Sequence, residues 1–133
     1  MTDLNKKILI LVVEDEEILA RTLAEKLEAE GFKVFKAVDG DEGLRMALVE
    51  HPDLILLDLL MPRVDGMTML KKLREDPWGL HAMVIILTNV SDPAKVAEGM
   101  NVGLDGTYEY LVKTDWSLDA VVDRIKEKLK INN

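Results

Sequence analysis

Short apolar runs alternate with amphipathic stretches along most of the chain. The runs Ile8–Val13, Leu54–Leu57 and Met83–Leu87 are apolar at nearly every position, which is typical of strands covered on both faces. Lys33–Ala37 alternates polar and apolar residues and predicts an edge strand, while the aromatic and β-branched residues of Tyr108–Val112 predict a fifth strand. Strands that alternate with helices in this way predict repeated β–α units and a parallel sheet.

The stretches between the runs have the spacing of amphipathic helices. Asp65-Gly66 predicts a turn and the start of the third helix, Asp92-Pro93 the start of the fourth, and Ser117 the cap of the fifth, while Gly31 ends the first. The apolar stripes of the first, second, third and fifth helices are Leu19, Leu23 and Leu27; Leu44, Ala47 and Leu48; Met67, Leu70 and Leu73; and Leu118, Val121, Val122, Ile125 and Leu129. The chain therefore reads as (βα)₅, an α/β sandwich of three layers with ligands expected outside the carboxyl ends of the strands.

Length and charge limit the classes of function. The 133 residues suit a single domain over 1–133, with its core at about 7–130. A formal charge of -8 repels phosphate backbones and anionic membranes, so we expect neither nucleic acid nor membrane as a partner. The chain has no cysteine, which excludes disulfides and thiolate metal sites. No export signal is recognisable, and we expect a cytoplasmic protein.

Residues able to do chemistry stand at the carboxyl ends of four predicted strands. Glu14-Asp15 follows the first strand and Asp58 the third, while Thr88 and Lys113 mark the ends of the fourth and fifth. If these strands are neighbours, three carboxylates, a hydroxyl and an ammonium converge. Two like charges about 4 Å apart repel by roughly 4 kcal/mol at an effective dielectric of about 20, so the carboxylates need a shared cation, protons or greater separation. Oxygen ligands of this kind favour Mg²⁺.

The segments around these residues resemble the receiver domains of response regulators, the CheY-like domains of two-component signalling. The resemblance covers about Lys7 to Leu129, and its most specific part is an aspartate followed by Met-Pro and Asp-Gly. The matching segments are Val12–Glu16, Leu57–Gly66, Leu87–Thr88 and Tyr110–Lys113. The resemblance implies a flavodoxin-like sandwich with a five-stranded parallel sheet in the order 2-1-3-4-5.

The resemblance also implies a phosphoacceptor and a metal site. Asp58 would take a phosphoryl group from a phosphohistidine on a sensor histidine kinase or a histidine phosphotransferase. Asp15 and Asp58 would ligate Mg²⁺, Glu14 would assist directly or through water, and the main-chain carbonyl of Leu60 would complete the set. Such a domain is no enzyme beyond catalysing its own phosphoryl transfer and dephosphorylation.

A second set of residues would read out the phosphoryl group. By the same resemblance, Thr88 and Lys113 contact its oxygens, and Thr88 and Tyr110 form the switch. The switch would act on an output protein at the face of the fourth predicted helix, the fifth strand and the fifth helix. Simple core packing explains Tyr110 equally well. Trp116, near this face, is either a partner anchor or a core residue.

Two features depart from the family pattern. Thr114 follows the lysine where the family usually has a cis proline. Because a non-proline cis bond costs about 2.5–4 kcal/mol, we predict a trans bond, or a strained loop if the bond is cis. The stretch 103–110 is also some three residues longer than usual by the spacing of its motif. The first departure bears on the position of Lys113 and its response to phosphate, and the second on the switching face, whereas the acidic residues of the site are complete.

Other functions fit parts of the chain. Departures at Thr114 and 103–110 favour a pseudo-receiver that binds a partner constitutively without phosphate, whereas the complete acidic site opposes it. Asp105-Gly106-Thr107 suggests an aspartyl-phosphate enzyme of the haloacid dehalogenase type, but Gly103 replaces that motif's first aspartate. A flavin module is disfavoured because no phosphate-cradling loop follows the first strand.

Two histidines and the end of the chain complete the picture. His51 and His81 fall at the opposite edge of the sheet from the acidic residues, and we interpret them as loop or capping residues. The chain ends soon after the fifth predicted helix, at Ile131-Asn132-Asn133. Either the protein acts alone by docking, or this is the receiver part of a longer chain.

Overall fold

The computed structural model describes residues 7–61, 65–89 and 108–129. Within these ranges the strands are β1 Leu9–Val13, β2 Lys33–Ala37, β3 Leu54–Leu57, β4 Val84–Thr88 and β5 Tyr108–Val112. The helices are α1 Glu17–Ala29, α2 Gly40–Glu50, α3 Gly66–Arg74 and α4 Leu118–Lys128, with short 3-10 turns at Gly79–His81 and Lys113–Asp115. The fourth predicted helix, from Asp92, lies outside the described residues, so α4 is the fifth predicted helix.

The five strands form one parallel sheet in the order β2-β1-β3-β4-β5, which confirms the predicted fold. β2 is an edge strand, as its alternating pattern predicts, and its Lys33 and Lys36 are exposed. The register pairs Val13 with Leu57 and Thr88 with Val112. The residues that follow β1 and β3 therefore stand level with each other at the carboxyl edge.

The sheet separates two apolar cores because successive side chains of a strand point to opposite faces. One core packs against α1 and α4 and the other against α2 and α3, which gives the three predicted layers. From the central strands, the first core takes Ile10, Val12, Leu54, Leu56, Ile85 and Leu87, and the second takes Leu11, Val13, Ile55, Leu57, Val84 and Ile86.

The helix boundaries follow the capping residues in the sequence. The Asp65 carboxylate accepts from the Thr68 N–H at 2.8 Å at the start of α3, and the Ser117 hydroxyl accepts from the Ala120 N–H at 3.1 Å at the start of α4. After α1 the chain turns at Gly31, whose φ of 98° is accessible to glycine without strain. Among the described helices none is long and apolar enough to cross a membrane.

The amino end of the sheet carries the two histidines. His51 caps the C-terminus of α2 with a φ of 49°, and its ring stacks on Trp78 with centroids 4.3 Å apart. His81 lies in the 3-10 turn just before β4. Both residues are capping or loop residues remote from the carboxyl edge, as predicted.

Candidate functional site

Glu14 follows β1 and Asp58 follows the neighbouring strand β3, and the two residues lie side by side at the carboxyl edge of the sheet. The Glu14 N–H donates to the Ala37 carbonyl at 3.0 Å, and the Asp58 N–H donates to the Val13 carbonyl at 3.0 Å. These bonds extend the β ladder by one residue and hold both backbones. Both acidic residues are buried, with 4% and 5% of their surface exposed.

Asp15 joins these two residues to make an acidic cluster. Glu14, Asp15 and Asp58 each offer a carboxylate oxygen, and these oxygens all lie within 4.8 Å of one another. Asp15 is exposed, so the cluster opens to solvent on one side. Three carboxylates in reach of one point form a hard, anionic donor set that fits Mg²⁺, which keeps several waters and uses few protein carboxylates.

The loop after β3 orients the Asp58 carboxylate. The Leu60 N–H donates to Asp58 Oδ1 at 3.2 Å. The main chain of Leu60, whose carbonyl was expected to complete the metal site, therefore lies beside that carboxylate. The Leu60 side chain is exposed, and the contact of this residue with Asp58 is made by its main chain.

Lys113 contacts both buried carboxylates. Its Nζ lies 2.9 Å from Glu14 Oε1 and 3.2 Å from Asp58 Oδ2, and its side chain is 16% exposed. Burial opposes the charge of this ammonium, but the hydrogen bond to Glu14 and the negative charge of Asp58 outweigh it and raise the pKa of Lys113. The lysine is a fixed positive charge at the phosphoacceptor candidate.

The cluster carries more negative charge than its protein partners neutralise. Burial raises the pKa of Glu14 to about 7, although the Lys113 ammonium and the Glu16 N–H at 3.0 Å both favour its ionised form. The negative charge of Asp58 adds to the rise. With all three carboxylates ionised, Lys113 offsets one of their charges, and a divalent cation would offset the other two.

Thr88 has the predicted position at the end of β4, and the peptide bond after Lys113 has the predicted conformation. Thr88 is the last residue of β4, fully buried between β3 and β5. The described residues contain no cis peptide bond, so the bond from Lys113 to Thr114 is trans, as predicted. Even with this bond trans, Lys113 reaches Asp58.

Tyr110 and Trp116 both have packing roles. Tyr110 is half-buried against the core on the α2–α3 side, and Trp116 is half-buried against the core on the α1–α4 side. Both also line a groove of about 530 Å³ between β5 and α4. Core packing of Trp116 and Tyr110 is thus observed, and the switching role of Tyr110 stays a prediction. The stretch 90–107, with most of the long loop, lies outside the described residues.

Two contacts of the site were not predicted. One is the ion pair between Lys113 and Glu14, and the other is the approach of Gly66 to the backbone of Asp58. The first follows from strand order and register together. The second has a sequence signal, the glycine at the start of α3, but its contact is visible only in three dimensions.

The parallel sheet with an acidic cluster and a lysine at its carboxyl edge defines a class of signalling domain. The sequence model of the response regulator receiver domain matches residues 10–126, and the chain belongs to this family. Receiver domains are signalling domains of two-component systems and not enzymes in the ordinary sense.

Individual relatives agree with this assignment. The chain is 42% identical over 104 residues to the response regulator PleD of Caulobacter vibrioides, covering 78% of this chain and 22% of that protein. It is 38% identical over 127 residues to the alkaline phosphatase synthesis transcriptional regulatory protein PhoP of Bacillus subtilis, covering 96% and 50%. The Francisella response regulator 1452 receiver domain superposes with a TM-score of 0.78 at 31% identity, covering 93% and 98%. The chain thus spans between a fifth and a half of these two curated relatives and nearly all of the solved receiver domain.

Proposed function

We propose that the chain is a phosphoacceptor domain that takes a phosphoryl group on Asp58. The observation that carries this proposal is the buried Asp58 carboxylate in contact with Lys113 and within reach of two further carboxylates. A buried aspartate among like charges is costly to maintain, since each close pair of like charges repels by about 4 kcal/mol at an effective dielectric of about 20. Such an arrangement is expected where those charges serve a bound cation and a transferred group.

Phosphoryl transfer needs little covalent work from the protein. An ionised oxygen of Asp58 attacks the phosphorus of a phosphohistidine on a histidine kinase or phosphotransferase. The new P–O bond forms as the P–N bond breaks, and the electron pair leaves with the imidazole nitrogen. Because the transition state is loose, positioning and charge neutralisation supply most of the catalysis.

The surrounding residues would stabilise the transferred group. Lys113, already 3.2 Å from Asp58 Oδ2, would pair with one phosphoryl oxygen, and the Thr88 hydroxyl would donate to another. Asp15, Asp58, Glu14 and the Leu60 carbonyl would hold Mg²⁺, which when bound neutralises charge on the phosphoryl oxygens. The same residues would support hydrolysis of the aspartyl phosphate.

Signalling requires that the phosphoryl group change a surface. Thr88 moving toward a phosphoryl oxygen would vacate space behind it. Rotation of Tyr110 in response would bias a two-state element. The output protein would bind the face of the fourth predicted helix, β5 and α4. We further propose that residues 1–133 form a single domain and that it acts in the cytoplasm.

Intact mass spectrometry after incubation with acetyl phosphate and Mg²⁺ tests the proposed function. We expect a single phosphoryl adduct, lost with a chelator and absent from Asp58→Asn, because both the nucleophile and the cation are required. Asp76→Asn is a matched control, since Asp76 lies at the amino end of the sheet and caps the turn before Gly79.

Absence of an adduct in a folded protein that binds Mg²⁺ would contradict the proposal. That result would favour the pseudo-receiver, which binds its partner without phosphate. An adduct that persists in Asp58→Asn would place the acceptor elsewhere.

A further inference from the structure

Gly66, the first residue of α3, packs directly on the backbone of the phosphoacceptor candidate. Its N–H donates to the Leu59 carbonyl at 3.2 Å, and its Cα faces the peptide that joins Asp58 to Leu59. The start of α3 thus packs against the residues that directly follow β3. The contact is between main chains, with no side chain to adjust.

A side chain at Gly66 would collide with this backbone. A β-carbon there would lie 2.2 Å from the Asp58 carbonyl oxygen and 2.8 Å from Leu59 Cα. The backbone of Gly66 is not left-handed, since Gly31 is the glycine with positive φ among the described residues. Space, and not dihedral freedom, therefore requires glycine at this position.

The backbone that Gly66 touches also orients the Asp58 carboxylate. Oδ1 accepts from the Leu60 N–H at 3.2 Å, one residue beyond the contact, and Oδ2 accepts from Lys113 at 3.2 Å. Relieving a contact of 2.2 Å to an ordinary separation moves the peptide by about 1 Å. The Leu60 N–H would move with it, and the carboxylate would lose its alignment.

We propose that Gly66 is a positioning residue for Asp58. Its missing side chain lets α3 fix the Asp58–Leu60 main chain, so that the carboxylate is aimed at Lys113 and the metal ligands keep their spacing. The inference rests on the proposed function in one respect, that Asp58 is the phosphoacceptor. It deepens that function by assigning a role to a residue without a functional group.

The test compares Gly66→Ala with Gly79→Ala. A β-carbon at Gly79 would also lie 2.2 Å from a main-chain carbonyl oxygen, that of Leu73, but at the amino end of the sheet. Both variants are expected to lower the unfolding temperature. Only Gly66→Ala is expected to weaken Mg²⁺ binding and to slow adduct formation with acetyl phosphate. The rate of adduct formation should fall by about tenfold to a hundredfold for a displacement near 1 Å.

Three measurements separate positioning from stability. These are the unfolding temperature without metal, the Mg²⁺ dissociation constant from calorimetry, and the rate of adduct formation at saturating Mg²⁺. Wild-type Mg²⁺ affinity and wild-type adduct rate in a folded Gly66→Ala would overturn the inference. Equal losses of Mg²⁺ affinity in both variants would also overturn it, because a merely structural role predicts that result.

A Gly66→Ala variant that does not fold in plain buffer is measured with trimethylamine N-oxide, which favours the folded state. If it still does not fold, Leu60→Pro tests the contact through which Gly66 would act, because it removes the N–H that donates a hydrogen bond to Asp58 Oδ1. Normal Mg²⁺ binding and adduct formation in Leu60→Pro would overturn the inference. A wild-type protein that binds Mg²⁺ but forms no adduct would contradict the proposed function alone, and the Mg²⁺ comparison would still judge Gly66.

Discussion

At the scale of single residues, the acidic site is a problem of charge. Glu14 and Asp58 share the ammonium of Lys113, so a single positive charge pairs with two buried carboxylates. Main-chain N–H groups of Glu16 and Leu60 supply one further hydrogen bond to each carboxylate. These contacts reduce the repulsion inside the cluster without removing it.

Replacing Glu14 with glutamine tests this balance. The metal-free protein is expected to become more stable by about 1–3 kcal/mol at pH 8, because a buried charge beside Asp58 is removed while Lys113 keeps Asp58 as its partner. Urea unfolding in the presence of a chelator measures the change. The same variant should bind Mg²⁺ more weakly by calorimetry.

Glu16→Gln serves as the control for this variant. Glu16 is exposed and its side chain makes no capping hydrogen bond, so its replacement should change stability by less than about 0.5 kcal/mol. A metal-free Glu14→Gln protein that is less stable than wild type would show that the Lys113–Glu14 pair is net stabilising.

At the scale of elements, an ion-pair network joins β5 to α4. The guanidinium of Arg124 donates to both carboxylate oxygens of Glu109 through Nε and Nη2, and its Nη1 donates to Glu127 at 2.6 Å. The hydrogen bond from Arg124 lowers the pKa of Glu109 against the opposing effect of burial. A bidentate pair of this kind fixes the angle between strand and helix.

The lowered pKa of Glu109 predicts the pH at which this network contributes. A carboxyl group with a folded-state pKa below its unfolded value stabilises the fold above that value and loses the contribution as the pH falls through the folded pKa. Glu109→Gln should therefore cost about 1 kcal/mol at pH 7, and the difference from wild type should shrink below pH 4.5, the unperturbed value. Urea midpoints at several pH values measure it.

Asp119→Asn is the comparison for Glu109→Gln. Asp119 pairs with Lys26 at 2.8 Å, but its side chain is 84% exposed, so the pair is expected to contribute little at any pH. A pH-independent loss in Glu109→Gln would mean that packing, and not the charge, accounts for the effect.

The elements were more predictable from sequence than their contacts. β2, β3 and β5 have the predicted bounds, because period-two and all-apolar runs report burial directly. The start of β1 moved from Ile8 to Leu9, and β4 runs from Val84 to Thr88 instead of starting at Met83. Strand ends depend on hydrogen-bond partners, which a single run does not specify.

For the site too, the residues were predictable from sequence and their contacts were not. The residues at the strand ends were identifiable because each ends an apolar run, and parallel strands gather their carboxyl ends at one edge. The Lys113–Glu14 pair, the Arg124–Glu109 pair and the Gly66 contact depend on register, side-chain reach and loop path. No local pattern encodes these three quantities.

At the scale of the whole molecule, the acidic site connects both cores. β1 and β3 send alternate side chains to each core and are followed directly by Glu14 and Asp58. A cation bound there would bind the folded protein and not the unfolded chain, since its ligands follow strands that are far apart in sequence. Binding and global stability should therefore be linked.

Mg²⁺ is expected to raise the unfolding temperature of the intact protein. At a concentration about 100 times its dissociation constant, a ligand specific for the folded state adds about 2.7 kcal/mol, or roughly 10 °C for a domain of this size. Differential scanning fluorimetry over a Mg²⁺ titration measures the rise. Asp15→Asn should reduce the rise in unfolding temperature, and a chelator should reverse it. An unfolding temperature that does not change with Mg²⁺ would refute the metal site.

The exposed lysines of β2 have a consequence for self-association. An edge strand offers unpaired N–H and C=O groups on which a strand of another molecule can assemble, a common route to aggregation. Lys33 and Lys36 place two ammonium groups on this open edge. Joining two molecules through β2 would bring four such charges together, so growth of the sheet into a polymer is opposed at this edge.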